Sequence, residues 1–180
     1  MSEQRAIVLL RAVNVGGTAK VPMAELRAVL AEIGYREVAT YIQSGNIVAT
    51  VPQARDEASL AAEVEAAIAD RMGVTTRAIV RTRDELEAAL ATYPWPEHNP
   101  KLAHIVFMDR EPDPEGVAAL RARDFGEDEW TVVGRDLFAR YGEHIQSSKM
   151  TNAVLERLLN VTATARNLST VRKLIAMAGD

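Results

Sequence analysis

Apolar residues are spaced differently along successive stretches of this chain, and the spacing predicts the element. Residues 6–13, Ala6 to Val13, form a near-continuous apolar run, the pattern of a strand that is central in a sheet or buried on both faces. After Gly16-Gly17, Pro22 suits the first position of a helix running to Ile33 and stopped by Gly34; Met23, Leu26, Val29, Leu30 and Ile33 recur at helical spacing. Residues 38–42 and 46–50 read as a hairpin turning around Ser44-Gly45. Residues 56–72 are an Ala-rich amphipathic helix with Leu60, Val64, Ile68 and Met72 on one stripe, and residues 76–81 a short strand. That order, β-α-β-β-α-β, is the split ferredoxin-like unit. Thr82-x-x-Glu85 is a capping box opening a further helix to about Leu90.

Pro94, Pro96 and Pro100 then interrupt the chain, and prolines so close together exclude helix and central strand. Beyond them the pattern restarts: a strand over 102–108, a helix from Asp113-Pro114 to Arg123, a hairpin of 129–133 and 136–141 turning at Gly134-Arg135, and a helix from Lys149 to Leu159. Where a last strand would complete the unit, Thr164 to Ala178 reads instead as an amphipathic helix closed by Gly179. The expected fold is α+β: two ferredoxin-like subdomains in tandem, 1–91 and 102–180, joined by a Pro-rich connector at 92–101, the second imperfect and ending in helices.

Composition narrows the chemistry. With no cysteine, disulfides, thiolate zinc sites, iron–sulfur clusters and thiol catalysis are all excluded. No apolar run approaches the length of a membrane span, so a cytoplasmic protein with no membrane partner is expected. The net charge of −4 argues against non-specific duplex binding. That charge is uneven: net +1 over residues 1–50, −8 over 51–130, 0 over 131–146 and +3 over 147–180. Both ends are therefore neutral to mildly basic around an acidic middle.

In a β-α-β-β-α-β unit the first two strands run parallel, so the loop leaving the first and the turn leaving the second share one end of the sheet. Arg11, Asn14, Gly16, Gly17 and Lys20 are thereby gathered with Gln43, Ser44, Gly45 and Asn46 on one rim beside a helix start, a setting that suits an anion. The same residues also fit a tight strand-to-helix turn and an ordinary hairpin. Lys20 precedes one helix, Ser148-Lys149 opens another in this reading, and Thr164-Ala165-Arg166-Asn167 opens the last. A base at a helix start is electrostatically misplaced by roughly 0.3–1 kcal/mol, and a shared anion would reverse that penalty. A nearby carboxylate such as Glu143, or solvent screening, would also offset it. Ser148 and Lys149 are adjacent and diverge by about 100° on a helix, poor geometry for a nucleophile pair. His98, His104 and His144 lack metal-ligand spacing, and Trp95 reads as linker packing or as a ligand platform.

The runs Leu9-Leu10-Arg11-Ala12-Val13-Asn14-Val15-Gly16-Gly17, Lys20 to Arg27 and Tyr41-Ile42-Gln43-Ser44-Gly45-Asn46 resemble the bacterial family called domain of unknown function 1697. So do Ser148-Lys149-x-Thr151-Asn152 and Ala163-Thr164-x-Arg166-Asn167-x-x-Thr170-Val171-x-Lys173-Leu174, and the likeness extends over nearly the whole chain. The chain departs from the family at Ala12, usually Gly, and at Leu168, often Trp. The resemblance implies an α+β fold with ferredoxin-like subdomains and no assigned reaction, so it supplies no catalytic residues, and the cofactor and oligomeric state stay unknown. The function expected is binding of an anionic small molecule, a nucleotide or phosphorylated metabolite, by Lys20, Lys149 and Arg166 with Asn14, Gln43, Ser44, Asn46, Asn152 and Asn167. Single-stranded nucleic-acid binding, disfavoured by charge and by missing aromatics, and a non-enzymatic interaction module are the alternatives.

Overall fold

The first apolar run becomes β1 (Gln4–Leu10), central in a sheet where it pairs antiparallel with β3 (Asn46–Val51) and β4 (Ala78–Arg81). β2 (Arg36–Tyr41) lies outside β3, giving the order β2-β3-β1-β4. These coordinates are a computed structural model, and residues 2–179 are described. One face of the sheet is covered by α1 (Met23–Glu32) and α2 (Glu57–Met72): Ala6, Val8 and Leu10 pack with Leu26, Leu30, Leu60, Val64 and Ile68. Ile7 and Leu9, pointing the other way in the pleat, are also fully buried, which is why the run shows no polar alternation. Asp56 starts α2 by accepting from the Ser59 N–H at 2.9 Å, and left-handed Gly73 (φ 66°) ends it. The capping box of α3 (Arg83–Thr92) is formed in both directions: Glu85 N donates to Thr82 Oγ1 at 3.2 Å, and Thr82 N to Glu85 Oε2 at 2.8 Å.

The second sheet repeats this plan. β5 (Ala103–Met108) is central, flanked by β7 (Asp136–Arg140) and β8 (Ala163–Asn167), with β6 (Glu129–Val133) outermost, in the order β6-β7-β5-β8. α4 (Pro114–Arg121) and α5 (Asn152–Leu159) cover one face, with Leu120, Leu155 and Leu159 against Val106, Met108, Leu137 and Ala139. Gly116 lets the two helices approach: a Cβ there would stand 2.6 Å from the Leu158 carbonyl oxygen. α6 (Leu168–Ala178) ends the chain. The fold is α+β with two ferredoxin-like subdomains and a C-terminal helix.

Two boundaries differ from the expected ones. Residues 163–167 are a strand, not the start of the last helix: β8 pairs with β5 from His104↔Asn167 to Met108↔Ala163, and helix begins only at Leu168. The second subdomain therefore has its sixth element. Likewise α5 begins at Asn152, not Lys149, because Thr151 is the cap, its side chain accepting from the Val154 N–H.

With β8 in place, the chain is a β-α-β-β-α-β-α unit used twice. The correspondence reaches single hydrogen bonds. Leu10 N donates to Gly45 O and Met108 N to Arg135 O, each at 2.9 Å; Arg11 N donates to Arg77 O at 2.9 Å and Asp109 N to Thr162 O at 3.0 Å. Ile7 faces Arg81, Ile105 faces Arg166, and both arginines are buried. Thr82 caps α3 and Asn167 caps α6, the latter accepting from the Thr170 N–H at 2.9 Å.

By compactness the chain forms two units, one of residues up to Glu87 together with those from Lys173 onward, the other of Ala88–Arg172. Within the first, Arg5 donates to the Met177 carbonyl at 3.4 Å, and the Lys173 ammonium stands 6.0 Å from the Tyr41 ring centroid. Among the described residues no helix is long and apolar enough to cross a membrane.

Candidate functional site

The rim expected at one end of the first sheet is formed, and its polar side chains divide into two kinds. Asn14 holds the loop together: its Nδ2 donates to Val21 O at 2.9 Å and Gln43 O at 2.7 Å, while Oδ1 accepts from Val21 N at 2.8 Å. That amide joins the loop leaving β1 to the turn leaving β2. Asn46 is fully buried and donates to Tyr41 O and Ser44 Oγ, both at 2.9 Å. Gly45 sits at φ +83°, where an added Cβ would lie 2.7 Å from Leu10 Cβ and 2.8 Å from Val13 Cγ2. These three build the rim. Arg11 is half-buried; its carbonyl accepts from Thr76 Oγ1 at 2.8 Å. Lys20 and the Gln43 side chain are exposed and make no side-chain bond among the described residues.

Between them the loop folds into a small hairpin. Asn14 N donates to Ala19 O at 3.0 Å, Val15 bridges Thr18, and Gly16 (φ 62°) and Gly17 (φ 74°) make the turn with nothing within 4 Å of where a Cβ would be. Two consecutive left-handed residues are the type I′ requirement, which explains the glycine pair. Ala12 (φ 54°) is left-handed too, so glycine there would relieve strain. Val15 and Ile42, the sequence neighbours of the hydrogen-bonded pair Asn14 and Gln43, are 56% and 50% exposed. Sequence reasoning passed over both, since an isolated apolar residue in a loop carries no pattern.

The second group of candidates lies in the second unit. Ser148 Oγ donates to Asp128 Oδ2 at 2.6 Å and accepts from Met150 N at 2.9 Å, so it holds the segment ahead of α5. Asn152 Nδ2 donates to Glu156 Oε1 at 2.6 Å and Ala163 O at 3.0 Å, tying α5 to β8. Lys149 is exposed beside an open cleft of about 320 Å³ that Asp124, Glu127, Asp128, Glu143 and His144 also line. Four carboxylates around one ammonium make a surface that repels anions.

Thr164, Arg166 and Asn167 are parts of β8 and the cap of α6. Arg166 is buried, donating to Thr164 Oγ1 at 2.7 Å and Ala165 O at 2.9 Å, and burial pushes its guanidinium down to about 10. It still carries its charge at neutral pH. None of Lys20, Lys149 and Arg166 occupies the first turn of a helix, since the helices begin at Met23, Asn152 and Leu168. The electrostatic penalty that the sequence suggested therefore does not arise, because the end effect fades within one turn.

The model of the family described as "Protein of unknown function (DUF1697)" matches residues 4–138. The chain belongs to that family. The match spans β1 to β7 and takes in the hairpin loop and the whole first rim. No curated protein matches the chain. Among solved structures, the chain is similar to a conserved bacterial protein, SP0830 from Streptococcus pneumoniae. The two share 27% identity over 98% of this chain and 99% of that one, with a TM-score of 0.72. That protein thus shares the fold along its whole length.

Proposed function

We propose that this family member is a cytoplasmic protein that binds a small anionic ligand at the rim of its first sheet. Lys20 supplies the charge, the turn amides of Gly16 and Gly17 add donors, and the Gln43 side chain orients the ligand. The observation that carries this reading is the division of labour on the rim: Asn14, Gly45 and Asn46 hold the rim together, while the Lys20 and Gln43 side chains make no bond among the described residues. Exposed backbone N–H groups in a left-handed glycine turn, next to an ammonium, are a recurrent arrangement for anions. The acidic surroundings of Lys149 count against a second anion site in the other unit. Single-stranded nucleic acid fits less well, because the Tyr41 ring already has Lys173 beside it instead of lying open for a base.

Thermal shift with millimolar pyrophosphate, sugar phosphates and nucleotides tests the reading. A rise in melting temperature that Lys20→Ala removes is expected. No shift with any of these anions, or one unchanged in the variant, overturns it.

A further inference from the structure

From the rim's exposed apolar residues we infer that the ligand carries an apolar group beside its anionic one, as a nucleotide does and inorganic or sugar phosphate does not. Val15 and Ile42 are the residues that select it. The inference rests on the anion-binding reading and deepens it.

Val15, Ile42 and Val133 are the large hydrophobic residues that stand exposed among those described, and two of the three are on this rim. Single exposed apolar residues need no explanation. Their chain neighbours Asn14 and Gln43, however, are joined by the bond from Asn14 Nδ2 to Gln43 O, which ties the two segments to one rim although the apolar residues are 27 positions apart in sequence. Ile42 is also in the left-handed region at φ +50°. For a β-branched side chain that is a true outlier, because Cβ and both branches crowd the backbone. The turn would be served better by Gly or Asn, which adopt this conformation at little cost. Ile42 thus works against the fold twice, by strain and by exposure, and it packs into no core in return. A strained residue with an exposed side chain, on the same rim as an uncommitted lysine, is accounted for if the side chain meets something outside the protein. Lys20 and the turn amides would then take the phosphate end, and Val15 with Ile42 an apolar face such as a nucleobase.

Isothermal titration compares pyrophosphate with ADP, which has the same diphosphate plus an apolar-faced base. ADP is expected to bind at least about ten-fold more tightly. Ile42→Gly is expected to remove about ten-fold of ADP affinity, leave pyrophosphate unchanged and raise the melting temperature of the unliganded protein, which also shows that the variant folds. Val15→Ser should reproduce the first two effects. Equal affinity for the two probes, with both lost in Lys20→Ala, overturns the apolar selection and leaves anion binding standing. Binding of neither probe overturns both. An ADP advantage that survives both apolar substitutions overturns the role given to Val15 and Ile42. So does sedimentation showing self-association that Ile42→Gly abolishes, because the patch would then be a contact between copies of the chain.

Discussion

The two repeats share a frame and differ in where they depart from it. In the first, the link from β1 to α1 runs over residues 11–22 and contains the Gly16-Gly17 hairpin, while the link from β3 to α2 takes only 52–56. In the second, the link from β5 to α4 is 109–113, and the link from β7 to α5 is the long one, 141–151, with a 3-10 turn at Ile145–Ser147. Each repeat has lengthened a different connection over the same sheet. The frame answers to the core, which tolerates little change, whereas surface links lengthen at small entropic cost. Two of the sequence motifs, Asn14 to Lys20 and Ser148 to Asn152, lie in or at the end of those lengthened links. The third, Thr164 to Asn167, has a counterpart at Arg81-Thr82 and belongs to the frame. A motif with a twin in the other repeat is explained by folding; one without a twin needs another reason.

The largest expected effect contrasts the two turns at the equivalent carbonyls of Gly45 and Arg135. Gly45→Ala should cost about 2–4 kcal/mol, from a left-handed backbone and a Cβ driven into Leu10 and Val13. Arg135→Ala should cost less than about 1 kcal/mol. Urea midpoints for the two variants that fall together would break the comparison.

His104 occupies in β5 the register that Ala6 has in β1, so only the second repeat carries a titrating group there. Burial pushes its ring down to about 4 from the ordinary 6.5, with the Tyr141 ring 5.2 Å away. The unfolded chain binds the proton more readily than the folded one. Stability is thus fully present above about pH 6.5 and is lost as pH falls toward 4, by up to about 3 kcal/mol. Denaturation between pH 7 and 4 should show that loss in the native protein and a flatter curve in His104→Gln; identical curves would remove the assignment.

Asn14→Ala removes three hydrogen bonds from the first repeat's lengthened link, at a cost of about 1–3 kcal/mol. Hydrogen exchange should speed up over residues 11–21 and 42–45 and not over the second repeat; loss of protection spread evenly would show that Asn14 supports more than the rim. The smallest effect is the most symmetric. Thr82→Ala and Asn167→Ala should each cost about 1 kcal/mol, because each removes a cap at the same place in its repeat. A difference above about 1 kcal/mol between them would mean that the caps are not equivalent.

Much of the frame was legible because local physics writes it into short stretches. Helical spacing in residues 23–33, the Thr82–Glu85 box and the glycine of the first hairpin turn each depend only on near neighbours. β8 escaped because Ala163-Thr164-Ala165-Arg166-Asn167 has neither alternation nor bulky β-branched residues; it is a strand by virtue of pairing with β5. The true start of α5 was within reach, since Thr151 three residues before Val154 is an ordinary cap, but Ser148-Lys149 offered a competing start. On the rim, position could be read from topology, yet the roles could not. Asn14, Lys20 and Gln43 look alike as polar loop residues, and only their partners tell the structural amide from the uncommitted side chains.

The sequence by itself determined the α+β class, the first ferredoxin-like unit, the absence of thiol chemistry and the membership in the family, because these follow from composition, periodicity and contiguous motifs. Only the tertiary structure decided that the second unit is complete and that the chain is one seven-element plan used twice. It also decided which rim residues serve the fold, and that Val15 and Ile42 stand exposed on the same rim as Lys20. Those properties depend on contacts between residues far apart in sequence, and no local pattern of hydrophobic and polar positions encodes them.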